Sequence, residues 1–448
     1  MLEKPLLNNK KYCFIERSIL INVKSKKVLL VGASLTSGNR GVNALTRGAI
    51  YGLLDHENSP IIKILSYTTK SKQTHYIDYK GRKIEIEEVP VSTKFATLLT
   101  PISFIHKKVN LNKFINKFSV FEAINSIIDW ADLILDISEG DSFSDIYGWK
   151  RFVMHSNIKL LAVNKGKNLV LLPQTMGPFK KEMFKRTTKY ICNNSKMNYA
   201  RDLISYNILK EDIGVNQDKI KYCADLAFYM KPLETKEAIL IKEKVGNDLL
   251  VGINVSGLLY NGGYSQNNMF NFITDYKDLM NSITKMFLEK YDNVQVVFIP
   301  HVIVEDFPVE DDLQVCLNMY SNFNKDFPGR VHVLKQHLRE DEIKGMLKQC
   351  NFFIGGRMHS CIGAISSGVP TVPIAYSRKF IGIWEQFGLE SFVADPRKKK
   401  KEELLETIKN AFENREGSIE KITSTNTRFK NELASMFSSI EELGKDIV

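Results

Sequence analysis

The stretch NFFIGGRMHSCIGAISSGVPTVPIAYSRKF, Asn351–Phe380, restricts what this chain can fold into more than any other. Phe352–Ile354 is an apolar run too short for a helix and reads as a buried strand. Gly355 and Gly356 follow, and a run of small residues predicts a helix over Met358–Ser367. Gly368 and Pro370 stop that helix, and Thr371–Ala375 reads as the next strand. Strand, glycine turn, helix and strand make a βαβ unit of a parallel sheet. The glycines let a ligand approach the backbone, and the first turn of the helix offers it unpaired N–H groups. Arg357 and His359 stand at that turn, and Arg378 and Lys379 follow the second strand. An acidic ligand held against the sheet is the simplest use of this arrangement. The plainer alternative is an ordinary βαβ unit with a solvated arginine and a satisfied histidine.

At 448 residues the chain has room for two or three domains, and 44% apolar with 25% charged residues can bury proper cores. No run approaches the roughly 18 apolar residues of a membrane span. The opening MLEKPLLNNKKYCFIERSILINVKSKK lacks a secretion-type core and cleavage site. The expectation is a soluble cytoplasmic protein. A net charge of +11 favours acidic partners: phosphorylated small molecules, an anionic membrane surface or nucleic acid. A lysine-rich surface composition explains the charge equally well. Nucleic acid is the weakest of the three, because no RNA-binding aromatic motif, zinc-finger spacing or basic heptad helix is present. Phe95–Phe121 is basic and aromatic and fits a membrane face or a cover over a substrate, although a solvated helix with core aromatics describes it better. The six cysteines (Cys13, Cys192, Cys223, Cys316, Cys350 and Cys361) form no CxxC pair, and free buried thiols are expected. Cys361 reads as a small helix-packing residue rather than a nucleophile.

Along the chain two α/β series appear. Lys27–Gly32, Ile61–Leu65, Lys83–Glu88, Asp132–Ile137, Asn168–Leu172 and Met197–Ala200 read as strands of the first. Leu249–Val255, Val294–Ile299, Val331–Leu334 and the opening stretch supply the second, with a long helix predicted over Met269–Tyr291. The first strand leads into GASLTSGNRGVNAL, a glycine- and Asn-rich loop without GxGxxG or GxxxxGK[ST] spacing. Asn39 and Arg40 are its candidate contacts for phosphate or carboxylate. The strand at Asp132–Ile137 delivers Glu139, Asp141, Asp145 and Tyr147 to its carboxyl end, where open α/β sheets bind ligands. The fold expected is α/β, two Rossmann-like doubly wound domains facing a cleft. Its parts are an extension (1–25), an N-terminal acceptor-side domain (26–231), a charged connection (Pro232–Asn247), a donor-side domain (248–398) and a helical tail (399–448) positioned to pack back across the junction.

Several loops together carry a resemblance. ISEGDSFSDIYG, LPQTMGPF, ARDLISYNIL, CADLAFYM, GGRMHSCIGAISSGVPTVPIAYSRK and the opening GNRGVNAL, in that order-preserving set from Val28 to Phe380, resemble the polysaccharide pyruvyltransferase family. The resemblance implies a GT-B-like fold. It also implies transfer of the enolpyruvyl part of phosphoenolpyruvate to a sugar of a surface polysaccharide or its lipid-linked precursor, giving a cyclic pyruvate ketal. The family's Arg-x-His matches Arg357 and His359, which implies a phosphoenolpyruvate clamp. The arginine of its Ala-Arg-Asp matches Arg201. Two departures bear on the acceptor: Val42 replaces the acid of Gly-Asn-x-Gly-Asp, and Glu139-Gly140-Asp141 stands where members have Gly-Gly-Asp.

The chemistry needs fixed cations for phosphate and carboxylate, a proton for the enol carbon, a base for the attacking hydroxyl and stabilisation of the departing phosphate. His359 is the expected donor contact and proton carrier, and Asp141 the acceptor-side base, with Glu139 its rival. Arg357, Arg201, Lys379 and Asn39 are expected to bind the donor or acceptor. Gln174 and His301, ending strands that face the cleft, are expected to orient sugar hydroxyls. The partners expected are phosphoenolpyruvate as donor substrate and a saccharide acceptor, with a lipid anchor and peripheral membrane contact left open. No cofactor or metal is expected, and nucleic acid is not. Two alternatives remain: a glycosyltransferase of the same architecture using a nucleotide-sugar, and a catalytically silent polysaccharide-binding module.

Overall fold

A computed structural model describes residues 25–57, 60–91, 119–304 and 306–443. Most of the N-terminal extension with Cys13, the basic aromatic segment up to residue 118, and the last five residues of the tail lie outside the described residues. The first sheet contains β1 (Lys27–Val31), β2 (Ile61–Ser66), β3 (Gln73–Tyr79), β4 (Arg82–Pro90), β5 (Leu133–Asp136), β6 (Asn168–Gln174), β7 (Met197–Ala200) and β8 (Ile220–Tyr222), in the order 3-4-2-1-5-6-7-8. The second contains β9 (Leu249–Asn254), β10 (Val294–Phe298), β11 (Val331–Val333), β12 (Phe352–Gly355) and β13 (Thr371–Pro373), in the order 11-10-9-12-13. Every pairing is parallel except the β3–β4 hairpin. Its two-residue turn, Lys80-Gly81, takes φ of 49° and 75°, the left-handed geometry such hairpins need. Sheets covered on both faces by helices favour strands that are mostly apolar: FFIG carries no polar side chain, KVLLV and LILD carry one only at an end, and in VQVVF the buried Gln295 side chain finds Asp248 at 2.8 Å.

Helices α1 (Arg40–His56), α2 (Ser119–Trp130), α3 (Trp149–Asn164), α4 (Glu182–Asn194) and α5 (Leu203–Asn207) belong to the first half. The second half has α6 (Lys236–Val245), α7 (Gly257–Tyr260), α8 (Tyr276–Lys290), α9 (Asp312–Asp326), α10 (Glu340–Lys348), α11 (Met358–Ile365) and α12 (Arg378–Gln386), followed by α13 (Lys401–Glu413) and α14 (Arg415–Leu443). Among the described residues no helix is long and apolar enough to cross a membrane.

Two local expectations are corrected. Residues 261–275 are turns, not the front of a long helix: Gln266, Asn268 and Asn271 take positive φ. The helix starts only where Asp275 caps it, its carboxylate accepting from the Asp278 N–H at 2.8 Å. The connection at 232–247 carries α6, capped by the Thr235 hydroxyl.

Strand order reverses at β1, flanked by β2 and β5, and again at β9, flanked by β10 and β12. Ligands of doubly wound sheets bind outside the carboxyl ends at such points. Here the two carboxyl edges meet. Asn39, after β1, bridges to Val302, after β10. Lys379, after β13, reaches Asp141, after β5, at 2.6 Å.

Helix α1 fills the junction behind the cleft. Its buried Arg47 pairs with Glu340 and lies 3.5 Å from Asp341, at the start of α10. At Gly48 a β-carbon would stand 2.1 Å from the Leu226 carbonyl oxygen, so the helix and the chain entering the second domain are in backbone contact. Helix α14 returns across α1: Phe437 stacks on His56, and Lys26 Nζ donates to the Glu441 carbonyl at 3.1 Å.

Candidate active site in the interdomain cleft

On the second domain the site is organised by Asp312, a buried carboxylate at the start of α9. It accepts from the backbone N–H groups of Gly257 (2.7 Å), His301 (3.1 Å) and Val302 (3.0 Å), and from Asn254 Nδ2 (3.2 Å). It also holds the Arg357 guanidinium, whose Nη2 lies 2.8 Å away and also donates to the Glu310 carbonyl at 2.8 Å. Asn254, at the end of β9, accepts from the Arg357 N–H at 3.0 Å. Arg357 is therefore fixed by three neighbours before any ligand arrives. Its backbone is extended at the N-cap of α11, and its side chain does not cap the helix, so that first turn has no cap from its own N-cap residue.

His359 follows in that first turn. Its Nε2 is closed off from solvent and meets no hydrogen-bond partner among the described residues. Burial lowers its pKa to about 4; the Asp225 and Asp141 carboxylates oppose that shift, and Arg201 and Lys379 add to it. The resting imidazole is neutral at pH 7. Its ring leans on the first domain: a β-carbon built at Gly41 would lie 2.3 Å from Nδ1. The glycine of GNRGVNAL thus makes room for the histidine of the other domain. Gly41→Ala should displace a ring that can rotate rather than a backbone. We expect at least a tenfold loss of kcat with the melting temperature nearly unchanged, measured by steady-state kinetics and a thermal melt.

His301, after β10, is also buried, with neither ring nitrogen partnered among the described residues. Burial, helped by nearby His359, Arg357 and Arg40, holds its pKa well below the usual range. Two neutral imidazoles and the cations of Arg40 and Arg357 therefore share one corner of the cleft. Arg40 Nε is likewise buried without a partner among the described residues.

The first domain supplies the opposite wall. Asp141 Oδ2 accepts from Lys379 Nζ at 2.6 Å and from the Tyr147 hydroxyl at 2.9 Å. Burial would raise its pKa, but Lys379 and Arg201 outweigh burial and hold it at about 2. Arg201 is buried, with Nε on Thr175 Oγ1 (2.9 Å) and Nη1 on Asp225 Oδ2 (2.8 Å). It passes close under Gly140, where a β-carbon would be 3.3 Å from Nη1.

The remaining sequence candidates serve the walls. Glu139 turns toward α3, 2.6 Å from Arg151 Nη2 and 3.4 Å from His155 Nε2, and these partners overcome burial to hold its pKa at about 2. Gln174 is fully buried, and its Nε2 donates to Asp136 Oδ2 and to the Asp136 carbonyl, both at 3.0 Å. It braces β5 against β6 instead of facing the cleft. The Asn39 carboxamide caps α1 by accepting from the Gly41 N–H at 3.0 Å. Cys361 Sγ donates to the Gly355 carbonyl, and burial pushes the thiol up, out of the nucleophile's range. Sequence reasoning missed Asp312, Asn254 and Thr175. The only sequence signal for Asp312 was its place at a helix start after an acidic loop.

Comparison with known proteins gives the family and the fold. The family model described as polysaccharide pyruvyl transferase matches residues 39–378. The amylovoran biosynthesis protein AmsJ of Erwinia amylovora is 24% identical over 405 residues, spanning 87% of this chain and 93% of that protein. Two solved structures share the fold. A trehalose-phosphate synthase from Burkholderia vietnamiensis has a TM-score of 0.53 at 9% identity, covering 93% of this chain and all (100%) of that one. A putative UDP-N-acetylglucosamine 2-epimerase from Listeria monocytogenes has a TM-score of 0.52 at 13% identity, covering 89% of this chain and 90% of that one. At those identities they establish the two-domain GT-B architecture alone. The family match spans both walls of the cleft, from Asn39 to Arg378: this chain belongs to the polysaccharide pyruvyl transferase family.

Proposed function

We propose that phosphoenolpyruvate is the pyruvyl donor and that it binds between the first turn of α11, Arg357, Arg40 and Lys379, with His359 as the proton carrier. The observation that carries this reading is the pair His359 and His301, neutral, with buried unpartnered nitrogens, set among arginines at an uncapped helix start. A small dianionic or trianionic ligand satisfies all of these groups at once. Opposite charge within about 4–6 Å raises an imidazole pKa, so donor binding itself loads the proton on His359.

Imidazolium His359 gives that proton to the methylene carbon of the donor, and the first sugar hydroxyl oxygen bonds to the adjacent carbon. The hydroxyl proton moves toward Asp141. Lys379 is the main force holding the Asp141 pKa down. When Lys379 turns to the donor phosphate, Asp141 regains basicity. The phosphate then leaves as the second hydroxyl closes the ketal, taking that hydroxyl's proton. Asp141 returns its own proton through solvent. Similarity to a protein of amylovoran biosynthesis supports an acceptor drawn from polysaccharide assembly, and we place its lipid-linked form on the cytoplasmic side of the membrane.

The test is a thermal melt with phosphoenolpyruvate, with nucleotide-sugars and with neither. A ligand at about 100 times its Kd adds roughly 2.7 kcal/mol. Stabilisation by phosphoenolpyruvate and not by nucleotide-sugars is the expected result. Stabilisation by a nucleotide-sugar alone would replace this reading with glycosyl transfer.

A further inference from the structure

Three neighbouring connections at the carboxyl edge of the first sheet, each a loop with the first turn of the helix that follows it, leave large apolar side chains in solvent. After β5 come Ile146 and Trp149, 46% and 51% exposed; after β6 comes Met183, 65%; after β7 come Leu203 and Ile204, 63% and 55%. The loops touch one another. The Asp145 N–H donates to the Pro178 carbonyl at 3.2 Å, the Lys180 N–H donates to Asp145 Oδ2 at 2.6 Å, and Thr175 Oγ1 donates to Asp202 Oδ2 at 3.0 Å. Isolated exposed apolar residues are ordinary, but a cluster with a charged rim marks an interaction surface. The rim here is basic. Lys150, Lys180 and Lys181 are exposed and form no ion pair with a described carboxylate, whereas Glu182 is occupied by Arg186 at 3.0 Å.

We propose that this edge docks on the surface of an anionic bilayer, inserting Ile146, Trp149, Met183, Leu203 and Ile204 at the headgroup boundary. Apolar side chains beside lysines that hold no described carboxylate, Lys150 lying over the Trp149 ring at 5.8 Å, match that surface in both hydrophobicity and sign. A second copy of the chain fits worse, because a two-fold contact through this face would bring the lysine rim against its equivalent. The patch adjoins the cleft: the Tyr147 hydroxyl, in the same loop as Ile146, donates to Asp141. A saccharide carried on a lipid would therefore enter beside Asp141, a step that rests on the pyruvyl-transfer reading.

Trp149 makes the test direct. Of the three tryptophans, Trp384 is fully buried with its indole N–H on the Thr371 carbonyl, and Trp130 is half-buried under the Lys63 ammonium. The full chain is sedimented with phosphatidylcholine vesicles, with and without phosphatidylglycerol, and its emission is followed with brominated acyl chains as quencher. We expect binding to the anionic vesicles that weakens with salt, with Trp149 emission shifted to the blue and quenched. Leu203→Ser/Ile204→Ser should weaken partitioning at least about tenfold without lowering the melting temperature. Absence of binding to anionic vesicles, binding unchanged in the double variant, or binding with unaltered Trp149 emission would overturn the proposal. So would a solution dimer that buries Trp149 without lipid. The assay contains neither donor nor acceptor, so its failure is separate from any failure of pyruvyl transfer.

Discussion

His359→Ala should lower kcat by about 10²–10⁴-fold, the usual contribution of a placed proton-transfer group, and leave the melting temperature almost unchanged. Nothing in the fold hangs on the ring. Among the described residues Nε2 has no partner, and the ring's close neighbour, Gly41, offers no side chain. A loss of activity without a loss of stability would therefore report chemistry. The pH dependence has a defined sign. The folded pKa is depressed from 6.5 to about 4, so the folded state resists a proton that the unfolded state accepts. The stability tied to the neutral ring is intact above pH 6.5 and is lost as pH falls from there toward about 4. His359→Gln should flatten that window of the stability–pH curve, measured by denaturant melts at pH 7 and pH 4.5. If the mutant curve keeps the wild-type slope, the ring is not buried neutral.

Arg201→Met should be the most destabilising substitution in the site, costing about 3–5 kcal/mol, as expected when one partner of a buried ion pair is removed. Asp225 would remain buried beside Ala227 N–H with its charge unmatched, and Thr175 would lose the guanidinium it accepts from. The double variant Arg201→Met/Asp225→Asn should recover much of the stability, because the orphaned charge is gone. It should not recover turnover, because the cation beside His359 and Asp141 is gone too. Denaturant unfolding and steady-state kinetics on the three variants separate these effects. Recovery of activity in the double variant would reduce Arg201 to a structural brace.

Strands buried on both faces were plain in the sequence, because a parallel sheet between helix layers takes few polar positions: KVLLV, VQVVF and FFIG are dominated by apolar residues. The half-exposed β3 was not, since QTHYIDY alternates too weakly, and three-residue β8 is too short to leave a pattern. The Met269–Tyr291 helix was drawn too long because apolar spacing continues through Phe270 and Phe272, while the chain there is folded by left-handed Asn and Gln residues. In the site, Arg357, His359, Asp141, Arg201 and Lys379 were legible from the residues and the family pattern, and they do meet around one cleft. Asp312 was not, because a carboxylate that collects backbone N–H groups looks like any acidic helix start until the strands place it. Gln174 and Glu139 misled for the opposite reason: both stand at strand ends, yet their side chains turn to Asp136 and to Arg151 instead of the cleft.

Binding of phosphoenolpyruvate in this cleft, on the reading proposed above, charges His359. The direct measurement is a ¹⁵N-imidazole NMR titration of His359 in the full-length protein, assigned with His359→Gln, in the absence and presence of saturating phosphoenolpyruvate. The expected result is a ring titrating near pH 4 in the free protein, with its pKa carried upward by the donor. A ring that stays near 4 with phosphoenolpyruvate, or that moves only when a nucleotide-sugar is added, would contradict it.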